Sequence, residues 1–183
     1  LPNSEAGGCH VLLFHPEDGQ SPEYRHPSTG VAVETTRTEY LKSVWGMVPR
    51  SREVGARRVG WKGLMLERPK PHLYATVHWR DDDASRLFRA LHAMYVRFVR
   101  PRGCEHPFLF AGSDGRPLSY ERAGDLFDAA ARRIGLVPAK EAGTTPHGLR
   151  HAYARDLKDA GLSDEYIQIC MHHHRVTSQQ VYT

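Results

Sequence analysis

A succession of helical segments in the second half of the chain constrains the fold more than any other feature of the sequence. Four segments place apolar residues at helical spacing, and they begin at Asp81, Ser119, Thr145 and Ser163. Each begins with a residue suited to capping a helix, and a proline or a glycine follows each of the first three. The pattern predicts four consecutive helices and therefore a mainly helical domain.

The first half of the chain has shorter apolar runs. Residues 1–33 are rich in Gly, Pro, His and Ser and predict a loop-rich lead-in with one strand-like piece at residues 11–14. Helical spacing begins near Arg37 and stops before Pro49. Between Arg50 and Trp79, short apolar runs broken by Gly and Pro predict three strands. The predicted fold class is α+β, mainly α-helical with a small antiparallel three-stranded sheet.

Length and composition set broader limits. A chain of 183 residues with 40% hydrophobic content is long enough for one core, so we expect one domain. The net charge of +4 and the pI near 9.1 suit a polyanionic partner. The three cysteines are unevenly spaced, so no disulfide framework is indicated and a reducing compartment fits best. No apolar run approaches the roughly 18 residues of a membrane span.

His147 and Arg150 are three residues apart at the start of the helix that Thr145 introduces. This spacing places both side chains on one face, beside the unpaired amides of the first helical turn, where an anion binds well. The guanidinium of Arg150 offers a planar fork of donors to two phosphate oxygens, and a histidine can give a proton near neutral pH. The pair is a candidate phosphate clamp.

Two further residues complete a pattern with this pair. His173 follows Arg150 by 23 residues, and Tyr182 follows His173 by nine. In residue type and spacing, the sequence from His147 to Tyr182 resembles the second half of the catalytic domain of tyrosine recombinases, the lambda-integrase family. The family usually has Leu-Gly before this second histidine, where the present chain has Met171 and His172.

The resemblance implies a DNA recombinase or integrase that works through a covalent 3′-phosphotyrosine, with no metal or other cofactor. A phenol attacks a phosphodiester, so cations must stabilise the negative charge of the phosphorane and an acid must protonate the departing 5′ oxygen. Because tyrosine has an ordinary pKa near 10, neighbouring cations or a base must favour its phenolate. The resemblance makes Tyr182 the nucleophile, Arg150 and His173 phosphate ligands, and His147 an aid to proton transfer.

The family has another arginine, at a helix start, and a lysine on a β-hairpin further along the chain. Arg37 heads the first predicted helix, and Lys62 follows it by 25 residues within the predicted sheet. By this match Arg37 also binds the phosphate, and Lys62 protonates the leaving oxygen. Arg50 and Arg52 stay open as rivals for the arginine, and Lys70, in a Pro-Lys-Pro turn, stays open for the lysine.

The resemblance also implies a domain organisation and partners. Residues 34–183 would form the catalytic domain, after the lead-in of residues 1–33. We expect this chain to lack the N-terminal core-binding domain of such enzymes and the segment that follows their nucleophile. The implied partners are double-stranded DNA and, for the full-length enzyme, identical copies in a homo-tetramer. The implied location is cytoplasmic, at the nucleoid and not at a membrane.

Other interpretations stay open. His147 and His151 are spaced like two metal ligands, and Cys170 with residues 172–174 could complete the site of a zinc-dependent hydrolase. The motif lacks the glutamate that zinc hydrolases place between such histidines. A second alternative is a DNA-binding or assembly module with the same fold and no catalytic activity. Type IB topoisomerases share the tyrosine chemistry, but the spacing from His147 to Tyr182 is closer to that of integrases.

Overall fold

The computed structural model describes residues 8–60, 63–68, 70 and 72–174, which form two compact units divided between Ser119 and Tyr120. Within these residues the fold is mainly helical α+β, as predicted. The helices are Arg37–Trp45 (α1), Asp82–Met94 (α2), Tyr120–Arg133 (α3), Pro146–Asp159 (α4) and Asp164–Cys170 (α5). The strands are Leu12–Phe14 (β1), Tyr24–Arg25 (β2), Ala32–Val33 (β3) and Tyr74–Thr76 (β4). None of the described helices is long and apolar enough to cross a membrane.

In the part of the chain that the structure describes, the strands form two separate two-stranded antiparallel sheets, so the prediction of a single three-stranded sheet between Arg50 and Trp79 is wrong. β4 lies in that stretch, but it pairs with β1, and Leu13 is opposite Ala75. β2 pairs with β3 in a short hairpin. Glycines and prolines interrupt the apolar runs that precede β4, and its partner lies 62 residues earlier, so no local pattern shows the pairing.

α1 begins where the sequence predicts because Thr36 caps it. The hydroxyl of Thr36 accepts a hydrogen bond from the amide of Glu39 (3.3 Å), and Gly46 ends the helix with a φ of 62°. The amide of Arg37 donates to the carbonyl of Gly19 (2.8 Å), which lies in the loop after β1. Arg37 is therefore held in place at the first turn of α1.

α2 begins at a cap in the predicted position, where the carboxylate of Asp81 accepts from the amide of Ala84 (2.7 Å). The predicted helix runs without interruption to Pro101, whereas the structure has one turn of π-helix, Tyr95–Val99, after α2. The amide of Arg100 donates to the carbonyl of Tyr95 (2.8 Å), five residues back, and closes this wider turn.

The second unit is built on the packing of α4 against α5. Ala154, Ile167 and Met171 are buried together, and partly buried apolar side chains surround them: Tyr153, Leu157 and Leu162. Gly161, with a φ of 80°, reverses the chain between the two helices. This packing brings the residues that follow α5 back to the first half of α4.

Candidate active site

The start of α4 positions His147 and Arg150. The hydroxyl of Thr145 accepts a hydrogen bond from the amide of Gly148 (3.1 Å) and so caps the helix. Gly148 lies against the turn before the helix, because a Cβ atom there would be 2.8 Å from the Cα atom of Gly143 and closer still to its carbonyl group. Only glycine fits this approach, so the cap and the glycine together fix the first turn.

His147 is exposed and contacts His151, one helical turn further along α4. The two rings meet edge to face at 89°, with centroids 4.5 Å apart and Nε2 atoms 3.0 Å apart. Burial lowers the pKa of His151 from its ordinary value, and the neighbouring His147, Arg155 and Arg150 lower this pKa further. The sequence pattern suggested His151 only as a metal ligand, although the same four-residue spacing also predicts a contact between side chains.

Arg150 links α4 to the turn after α5. Its guanidinium donates a hydrogen bond to the main-chain carbonyl of Met171, a buried residue. His173 follows two residues later, and the backbone and side chain of Gln168 hold its main chain through hydrogen bonds of 3.0 and 2.9 Å. Burial lowers the pKa of His173, and the positive charge of Arg150 lowers it further. The second unit therefore places Arg150 near enough to His173 for its positive charge to act on that ring.

The turn that carries His173 has an unusual backbone. His172 has a φ of 54°, in the left-handed region that favours glycine. Histidine is one of the few other residue types found there with some frequency. The left-handed conformation is thus one that glycine adopts freely and that His172 can also adopt.

In the first unit, the guanidinium of Arg37 lies 5.3 Å above the centre of the Phe14 ring. It makes no hydrogen bond or ion pair with any residue in the described part of the chain. Burial lowers the pKa of Arg37, although an arginine stays charged at any working pH. Toward the described residues, this half-buried cation leaves its N–H donors unused, so an anionic ligand can accept from them.

The two rival arginines have partners within the protein. The guanidinium of Arg50 donates to the carbonyl of Arg57 (2.9 and 3.2 Å) and to that of Leu118 (2.6 Å). Arg52 forms an ion pair with Glu17 (2.5 Å), and its hydrogen bond is the main cause that lowers the pKa of that carboxylate. Of the three candidates, Arg37 is the one whose guanidinium makes no hydrogen bond or ion pair with the described residues.

The remaining candidate site residues differ in whether the structure describes them. Tyr182 and Lys62, the predicted nucleophile and proton donor, lie outside the described residues. The rival Lys70 is described and exposed.

The zinc alternative gains no support from the described residues. Within them, His147 and His151 have no third His, Cys, Asp or Glu whose ligand atom lies within 4.8 Å of theirs. The thiol of Cys170 instead interacts with the phenol of Tyr153, and burial raises the pKa of both groups. A thiol with a raised pKa stays protonated, which weakens it as a metal ligand.

Comparisons with known proteins point to one family. The phage integrase family matches residues 82–183. Tyrosine recombinase XerD of Mycobacterium tuberculosis H37Rv is 33% identical over 100 residues, 51% of this chain and 31% of that protein. Tyrosine recombinase XerD of Caulobacter vibrioides is 36% identical over 81 residues, 43% of this chain and 25% of that protein. The chain thus spans about a third or less of these relatives. No solved structure matches it.

Proposed function

The chain belongs to the phage integrase family, and from this membership we propose that it carries the catalytic domain of a tyrosine-type DNA recombinase. Residues 34–183 form this domain in the proposal, after a lead-in of residues 1–33. The proposed reaction is site-specific cleavage and rejoining of double-stranded DNA through a covalent 3′-phosphotyrosine, without a metal ion.

The observation that carries the proposal is the hydrogen bond from Arg150 to the main chain of Met171, which brings Arg150 near His173 beside the first turn of α4. A guanidinium has five N–H donors, and the carbonyl of Met171 engages one side of the fork of Arg150. The remaining donors are available to phosphate oxygens. His147 is exposed on the same helical turn, so one phosphate at this end of α4 can meet several donors at once.

In the proposed reaction, the phenolic oxygen of Tyr182 attacks the phosphorus, and the bond from phosphorus to the 5′ oxygen breaks. Lys62 gives a proton to the departing 5′ oxygen, and His147 assists proton transfer. The cationic and hydrogen-bonding groups that stabilise the phosphorane are Arg37, Arg150 and His173. The phosphotyrosine bond retains the energy of the phosphodiester, so the reverse attack by a 5′ hydroxyl rejoins the strand.

The proposed partners follow from this chemistry and from the named relatives. DNA binding should be dominated by phosphate neutralisation and therefore weaken steeply as salt concentration rises. For the full-length protein we propose a homo-tetramer on DNA and a location at the nucleoid.

The direct test is formation of a covalent protein–DNA adduct. The longest form of the protein is incubated with a pool of nicked, random-sequence DNA that traps cleavage, and denaturing gels separate adduct from free protein. Tyr182→Phe removes the proposed nucleophile. Tyr166→Phe is the matched control, because Tyr166 is 64% exposed on α5 in the same unit. Parallel reactions contain a chelator.

We expect an adduct with the wild-type protein and with Tyr166→Phe, in the presence and absence of chelator, and no adduct with Tyr182→Phe. An adduct that chelator abolishes would contradict the metal-independent reaction. Salt-sensitive DNA binding without any adduct would contradict the catalytic proposal and favour a DNA-binding module without activity.

A further inference from the structure

His147 and His151 form a pair whose geometry determines how protons can be arranged. Their Nε2 atoms are 3.0 Å apart, which is hydrogen-bond distance for two nitrogens. Such a bond needs one proton between the two nitrogens, so one ring donates through Nε2 and the other accepts at Nε2. When both rings are neutral, they must therefore be opposite tautomers.

The surroundings also limit the charge of the pair. Two imidazolium rings would direct N–H groups at each other, and Arg150 and Arg155 on the same helix already bring positive charge to the pair. Lys140 and Glu141, from the turn before α4, line the same cavity of about 650 Å³ as the two histidines. Because cations outnumber anions around the pair, the state with two imidazolium rings is disfavoured. The state with a single proton between the two Nε2 atoms is favoured.

The contact also restricts what His147 can offer to a ligand. Its Nε2 atom is occupied by His151, so Nδ1 is the ring nitrogen left for another partner. The edge-to-face packing at 89° holds the ring of this otherwise exposed residue in one orientation. An exposed side chain without such a neighbour would lose rotamer freedom each time it bound a phosphate.

We infer that His151 is a positioning residue, which holds the ring of His147 and sets which of its nitrogens carries the proton toward the DNA phosphate. This inference rests on the proposed function, in which His147 assists proton transfer. Without His151, the ring of His147 samples several rotamers and both tautomers, so few encounters with the phosphate are productive.

The first test is nitrogen NMR of the imidazole rings in the full chain without DNA. Signals of the pair are identified by their loss in His147→Gln and His151→Gln. We expect opposite tautomers for the two rings at neutral pH, and an averaged tautomer signal for His147 in His151→Phe. Arg155→Gln is the control, because it removes a nearby charge and leaves both rings, so the opposite tautomers should persist. Two rings with the same tautomer in the wild type would overturn the inference.

The second test is the rate of covalent adduct formation. His151→Phe retains a flat ring but cannot bond to Nε2 of His147, and we expect a loss of about 10- to 100-fold. His151→Gln offers an amide to the same atom and should recover most of the rate, whereas equal losses in the two variants would contradict a positioning role. A wild-type protein that forms no adduct contradicts the proposed function, while the NMR result still decides whether the pair exists.

Discussion

The guanidinium of Arg150 donates a hydrogen bond to the main-chain carbonyl of Met171 and so connects the first turn of α4 to the turn that carries His173. One side chain therefore has a structural contact and a proposed catalytic one. The structural contact orients the fork, and the rest of the fork is available to a phosphate. This double use predicts that substitutions of Arg150 affect stability and activity to different degrees.

Arg150→Ala should lower the free energy of unfolding of the second unit by about 1–2 kcal/mol, because the carbonyl of Met171 loses a charged donor. Arg150→Lys retains the charge but not the planar fork, so it should cost less stability and still slow adduct formation by about 100-fold or more. Arg132→Lys, on the exposed side of α3, is the control. Urea unfolding and adduct assays on the same preparations measure both effects, and full activity in Arg150→Lys would contradict the role of the fork.

Alanine substitutions of Arg37 and Arg50 should affect different properties: Arg50→Ala mainly the stability of the first unit, and Arg37→Ala mainly adduct formation. Arg50→Ala leaves the carbonyls of Arg57 and Leu118 without their donor and should cost the first unit about 1–3 kcal/mol. Arg37→Ala loses a cation–π contact worth about 1–2 kcal/mol and leaves no described carbonyl without a donor, but it should reduce adduct formation by about 100-fold or more. All three tryptophans precede Ser119, so their fluorescence reports unfolding of the first unit. If Arg50→Ala were stable but inactive while Arg37→Ala stayed active, Arg50 would be the arginine that binds the phosphate.

Gly148→Ala should damage the start of α4 although alanine favours helices. Its methyl group would overlap the main chain of Gly143, so the turn before the helix would have to move. We expect a loss of about 1–3 kcal/mol in the free energy of unfolding. Gly124→Ala is the matched control: it lies in α3, nothing stands within 4 Å of the added methyl group, and a gain of up to about 1 kcal/mol is expected. Unfolding followed by circular dichroism compares the two, and equal stabilities would contradict the close approach at Gly148.

The helices could be predicted from the sequence, whereas the sheet could not. A helix start depends on neighbours in the sequence, so residues such as Asp81 and Thr145 identified the beginnings of α2 and α4 correctly. The pairing of β1 with β4 depends on residues far apart in the chain, and neither strand is longer than three residues. The sequence predicted strand-like pieces where β1 and β4 lie, but strands this short carry too little alternation to show which strands pair.

In the candidate site, too, local features could be predicted from the sequence and contacts between distant residues could not. The spacing of His147 and Arg150 was visible because one helical turn sets their geometry. The bond from Arg150 to Met171 depends on the packing of α4 against α5, which sequence spacing does not encode. The difference between Arg37 and Arg50 was also hidden, because only the fold shows which guanidinium is already bound to carbonyl groups.

His106 predicts a dependence of stability on pH in the first unit. Its side chain is 3% exposed, and burial, followed by the charge of Arg100, lowers its pKa below the ordinary value. The unfolded chain therefore takes up a proton at a higher pH than the folded chain, so the stabilisation is present above about pH 6.5 and is lost as the pH falls below that value. His106→Phe should weaken this loss.

Urea unfolding followed by tryptophan fluorescence at about pH 7.5 and about pH 5.5 checks this prediction. The exposed His10 supplies the control, because His10→Gln should leave the pH dependence of the wild type unchanged. An identical pH dependence in wild type and His106→Phe would contradict the assignment.

The most direct test of the central claim is the identity of the residue that carries the DNA. The covalent adduct is digested with trypsin and a nuclease, and mass spectrometry locates the residual nucleotide. The account predicts a nucleotide joined through its 3′ phosphate to Tyr182, in the peptide that begins at Val176 after cleavage at Arg175. A nucleotide on another residue, such as the exposed Tyr166, or one joined through its 5′ phosphate, would contradict it.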